Sequence, residues 1–85
     1  MNTYELTVTA RCPVQPSLVD IYRATVESEE KINVETILQI FLDKQEITIF
    51  QEDLAKYAAG VLNAKVTLIG YHSGVKTTSI YDRSS

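Results

Sequence analysis

With 85 residues, 45% of them hydrophobic and 22% charged, the chain has the size and balance of one soluble globular domain, 1–85, near the lower limit for a self-sufficient core. A net charge of −3, with eight basic residues scattered from Arg11 to Arg83, argues against a protein held mainly by nucleic-acid backbone, which needs clustered Lys and Arg. The single cysteine, Cys12, excludes an internal disulfide, and a core this small without staples or metal-type spacing points to oligomerisation.

Met1 to Glu5 carries neither a basic segment nor an apolar stretch, so no signal peptide is expected there. No apolar run nears the ~18 residues of a membrane span, and a free cysteine suits a reducing, cytoplasmic setting. From Tyr4 to Arg11 the chain alternates strictly, with Tyr4, Leu6, Val8 and Ala10 on one side, which predicts a half-buried strand. Pro13 and Pro16 then stop the ladder in a fixed loop. A second alternating run, Leu18 to Ser28, puts Tyr22, Ala24 and Val26 on one face and predicts an antiparallel partner for the first.

After the charged turn Ser28–Lys31, Asn33 can cap a short helix with Glu35 in its first turn. Val34, Ile37, Leu38, Phe41 and Leu42 form its expected apolar stripe. A second helix follows Ile47–Phe50, starting either from a Thr48–Gln51 capping box or later, near Gln51. Its expected stripe is Leu54, Tyr57, Ala58, Val61 and Leu62, with Asn63 as a left-handed terminator. Ala64–His72 and Val75–Tyr81 read as strands joined at Ser73-Gly74, and Asp82–Ser85 as a polar tail.

The order is therefore ββααββ, an α+β class with a four-stranded antiparallel sheet carrying two helices on one face. Unpaired sheet edges would be covered by neighbouring copies in a ring or barrel, which places sites between subunits.

Three stretches carry a family resemblance. Cys12-Pro13-Val14-Gln15-Pro16 with Ile21-Tyr22, Val34-Glu35 before Ile40-Phe41-Leu42, and Phe50-Gln51-Glu52-Asp53 resemble, in order, segments of the 7-cyano-7-deazaguanine (preQ0) reductase group. That group belongs to the tunnelling-fold superfamily of purine- and pterin-handling enzymes, whose subunits join sheets into barrels and bind a planar heterocycle at the interface. The resemblance implies a nucleophilic role for Cys12 and a ligand-anchoring role for Glu52. It departs from the family in three places. Ser17 follows Gln15-Pro16 where the family has its acid, leaving Asp20 as the nearest carboxylate on that side. Gln51 replaces the family histidine, and Glu35-Thr36-Ile37-Leu38-Gln39 lacks the lysines of the NADPH motif. No cofactor is expected, and NADPH-dependent nitrile reduction is not expected either.

The candidate catalytic residues are thus Cys12 and Asp20, and the candidate ligand contacts are Glu52, Gln51, Glu35 and His72. Glu52 offers two coplanar acceptors to adjacent N–H groups, as a purine or pterin edge requires; equally, an acid at a helix start needs no ligand. Cys12 is either a nucleophile or a plain buried thiol. His72 is the only histidine, too few for the zinc cluster of the pterin synthases, and is either a ligand contact or a surface residue. Gln51 keeps hydrogen bonding without proton chemistry, or serves only as a cap. Arg23 and Lys76 can balance an anion, and Tyr22, Tyr57 and Tyr71 can stack on a ring, although such residues are more often solvated or core.

Three functions compete. One is a heterocycle-binding tunnelling-fold protein that adds Cys12 to a nitrile without NADPH, like the amidinotransferase branch that acts on deazaguanine in transfer RNA; the acidic balance speaks against that nucleic-acid substrate. The second is a non-catalytic oligomeric module of the same fold. The third is a small α+β interaction domain.

Overall fold

The computed structural model describes residues 1–83. Its elements are β1 (Asn2–Arg11), β2 (Val19–Ser28), α1 (Val34–Leu42), α2 (Gln51–Leu62), β3 (Lys65–His72) and β4 (Val75–Asp82). The strands form one antiparallel sheet in the order β1-β2-β3-β4, so the expected ββααββ architecture is present. The alternating runs do as their periodicity dictates. β1 and β2 pair from Asn2↔Ser28 to Arg11↔Val19, and Val8, Ala10, Tyr22, Ala24 and Val26 are buried beneath the helices with Val66 and Leu68. Asp82 closes β4 instead of starting a tail, and Ser84 and Ser85 lie outside the described residues. Among the described residues no helix is long and apolar enough to cross a membrane.

Local signals at the element ends are realised. The Asn33 side chain accepts a 2.8 Å hydrogen bond from the Glu35 N–H at the start of α1. Asn63 ends α2 in the left-handed region, and Ser73 and Gly74 both take positive φ in the two-residue β3–β4 turn.

The helical stripes are rotated from expectation. In α1, Ile37, Ile40 and Phe41 are buried, whereas Val34, Leu38 and Leu42 are about half exposed. The helix lies along β1, an edge strand, so the sheet reaches beneath only part of its apolar face. In α2 the buried face is Leu54, Ala55, Ala58 and Ala59; Val61 is exposed and Tyr57 only partly buried. Alanines let the helix axis approach the sheet, and close approach decides which side of the helix goes under.

The Thr48–Gln51 capping box does not form. Phe50 is the N-cap, without a side-chain bond, and Gln51 turns into the core. Thr48 instead forms a parallel bridge with Arg11, where the Arg11 N–H donates to Ile47 O and the Ile49 N–H to Arg11 O. The interhelical linker is thereby stitched to the end of β1, and an Arg11–Glu46 ion pair at 2.7 Å closes over it. This stitch brings the loop after Arg11 against the start of α2.

Pairing between β2 and β3 runs from Glu27↔Lys65 to Arg23↔Ile69 and stops. Just beyond that point the Tyr22 ring lies against Gly70, where a Cβ would sit 2.6 Å and 2.8 Å from two ring carbons. A glycine inside a strand here marks the close approach of another group.

Candidate functional site

A cavity of about 230 Å³ opens where β2 and β3 part. The loop after β1 contributes Cys12, Pro13 and Val14, β2 contributes Asp20 and Tyr22, and the start of α2 contributes Phe50, Gln51 and Glu52. His72 from the end of β3 and Thr77 from β4 complete it. Five of the six candidate residues therefore face one space: Cys12, Asp20, Gln51, Glu52 and His72. Glu35 does not; it sits exposed on the first turn of α1, outside this lining.

Cys12 is half-buried at the head of its loop, and its N–H donates to Leu18 O, which closes the loop into a fixed ring. Asp20 and Tyr22 are two residues apart on β2 and so share the helix-facing side, which carries Asp20 into the same cavity as Cys12. The Tyr22 hydroxyl donates to Asp20 Oδ2 at 3.1 Å. Burial pushes the Tyr22 phenol well above its ordinary ionisation range, and the negative charge of Asp20, that hydrogen bond, and the Cys12 and Glu52 groups push the same way. Tyr22 is therefore a fixed neutral donor that forms the cavity floor.

Gln51 is buried, and its amide is fully committed. Nε2 donates to Leu68 O at 2.8 Å and to Thr77 O at 2.9 Å, while Oε1 lies 3.2 Å from His72 Nε2. It has no free proton to donate to a ligand. It ties α2 to β3 and β4, and it holds His72, whose ring tilts 48° against Tyr22 with centroids 6.3 Å apart. Glu52 lies in the first turn of α2, exposed, with no hydrogen bond or ion pair to its carboxylate among the described residues. Among the described lining residues there is no Lys or Arg, since Arg11 is turned to Glu46. Among the described residues no three acidic, histidine or cysteine side chains come together as a metal site.

The other residues considered lie elsewhere. Arg23, Tyr71 and Lys76 border a broad depression with Val19 and Ile21, and Tyr57 carries the Lys44 ammonium over its ring at 4.4 Å. Tyr22 is both core and cavity floor, a double role that alternation alone does not reveal. A glycine inside a strand is the signal by which Gly70 can be found, whereas nothing in the sequence singles out Thr77.

No protein-family model and no curated protein matches the chain. Among solved structures, a crystal structure of the archaeosine synthase QueF-Like in the apo form is similar, with a TM-score of 0.88 at 17% identity. The likeness covers 99% of this chain and 93% of that one. Shape agreement at so low an identity shows a shared fold: the ββααββ architecture is common to both over nearly their whole lengths.

Proposed function

We propose that the chain binds a planar purine- or pterin-type heterocycle of the 7-deazaguanine kind, with Glu52 as its anchor. The carrying observation is the convergence of Cys12, Asp20, Glu52 and His72, from four separate segments, on one cavity. The unengaged Glu52 carboxylate suits the paired ring and amino N–H groups of such a ligand, in the same lining as the neutral Tyr22 phenol. At about 230 Å³ the cavity falls below the ~300–1,000 Å³ of complete small-molecule sites. A second copy supplies the missing wall, and β1 and β4 are the sheet edges that can receive it. Glu35, exposed on α1, is a contribution that such a neighbour can make.

The shared cavity of Cys12 and Asp20 favours a catalytic extension. The Cys12 thiol adds across a ligand nitrile: a C–S bond forms, C≡N becomes C=N–H, and the thiol proton reaches nitrogen by way of Asp20. The addition consumes no hydride, in keeping with a chain that lacks the lysines of the NADPH motif. The internally committed Gln51 favours the alternative, a binding module of the same fold without chemistry.

Native mass spectrometry with preQ0, guanine or a reduced pterin tests both. A multimer retaining one heterocycle per subunit is expected, with Glu52→Ala staying assembled but binding about tenfold to a hundredfold more weakly. A mass equal to protein plus preQ0 after denaturation establishes the Cys12 adduct. Reversible binding alone leaves the module, and a monomer that ignores all three compounds overturns the proposal.

A further inference from the structure

Gln51 and the exposed His72 meet at the cavity wall in an arrangement that fixes which atom donates between them. Both Gln51 amide hydrogens are directed to backbone carbonyls, one on β3 and one on β4. That fixes which amide atom is oxygen, because an inverted side chain would set an acceptor against two acceptors. The Oε1 facing His72 Nε2 at 3.2 Å can only accept, so the imidazole must carry its proton on Nε2. Nδ1 is then the ring's lone pair, and no protein donor among the described residues occupies it.

We propose that Gln51 is a positioning residue that locks His72 in the Nε2–H form, and that Nδ1 is the acceptor which selects ligands presenting an N–H at that wall. The ligand part rests on the heterocycle proposal; the lock does not. Its basis is rigidity. A carboxylate or water beside His72 could turn to follow a proton, whereas an amide held at both hydrogens cannot. With Asp20 and Glu52 also accepting, and no Lys or Arg among the described lining residues, the cavity favours a donor-rich, uncharged ligand over an anionic one.

Because the chain has one histidine, its ring nitrogens are read without ambiguity. The test is a ¹H–¹⁵N spectrum at about pH 8.5, where an ordinary imidazole is neutral. A slowly exchanging Nε2–H is expected, with cross-relaxation to the Gln51 amide protons and a lone-pair shift at Nδ1. Fast averaging between tautomers, or no protected ring N–H, overturns the lock. Guanine is then titrated in: Nδ1 should shift on binding, and His72→Phe should weaken binding about threefold to tenfold. Guanine that binds without moving Nδ1, and binds His72→Phe equally, overturns the selector role. If guanine does not bind at all, the heterocycle proposal fails and the selector role falls with it, while the spectrum of the free protein still decides the lock. Gln51→Leu would remove the buried amide that ties α2 to β3 and β4, so a loss of binding in that variant would not isolate the lock.

Discussion

The two ends of the β2–β3 interface are built on different principles. At one end, Val26 faces Val66 and Ala24 faces Leu68 in register, all fully buried, with Ala64 beside them. Those residues satisfy their surroundings by volume alone, and any neighbour of similar shape would serve. At the other end the strands part, and the interior is polar: Tyr22 to Asp20, Gln51 to two carbonyls and to His72. There each group has a designated partner, and a buried group stripped of its partner is destabilising. The paired end holds the sheet together, so that the parted end can present unpaired acceptors to a ligand.

That contrast is broken most sharply at Gly70. A methyl group there would press into the buried Tyr22 ring, so Gly70→Ala should destabilise by about 1–3 kcal/mol and displace the cavity floor. Heterocycle binding should fall at least tenfold even where the variant stays folded. Val66→Ala, at the paired end, removes two methyl groups and should destabilise by about 2 kcal/mol. Its folded fraction should bind as the parent does. Chemical denaturation and calorimetric titration on both variants read the difference; equal binding losses would mean that the two ends are not separable.

Tyr22 sharpens the comparison through pH. Its phenol is raised in the fold above the unfolded value near 10, so the unfolded chain releases this proton first. The associated stability is complete below about pH 10 and is lost as pH rises toward the folded value, at up to about 1.4 kcal/mol per pH unit. Tyr22→Phe should remove that slope, measured by urea denaturation between about pH 9 and pH 11, while losing the 3.1 Å bond to Asp20. An unchanged slope would show that Tyr22 is not the group held neutral.

The same division explains what could be read from the residues alone. Strand alternation gave β1 through β4 to within a few residues, and Asn33, Asn63 and Ser73-Gly74 marked their turns and caps, because each depends on local backbone geometry. Helical spacing located α1 and α2 but not their buried sides. Leu38 and Val61 are as apolar as Ile40 and Ala59, and only the position of the sheet edge and the closeness of α2 separate them. At the cavity, motif resemblance singled out Cys12 and Glu52. The commitment of Gln51 to Leu68 and Thr77 spans 17 and 26 residues and leaves no local trace. Two-residue periodicity carries Asp20 to the same side of β2 as Tyr22, but where the Cys12 loop lies against that side leaves no trace in the residues.

The smallest effect belongs to a residue that takes part in neither end. Gly60 lies within α2, exposed, and a Cβ there would meet nothing within 4 Å. Its backbone is helical, so alanine needs no strained conformation, and the gain comes from the unfolded chain, which loses freedom when glycine is replaced. Gly60→Ala should therefore stabilise by about 0.5–1 kcal/mol, raise the melting temperature by a few degrees, and leave ligand binding unchanged. Should it alter binding, α2 must move as a body when the cavity fills, since Gly60 itself is two helical turns from Glu52. Rigidifying the helix would then act on the site through Gln51, whose amide hydrogen-bonds α2 to both β3 and β4.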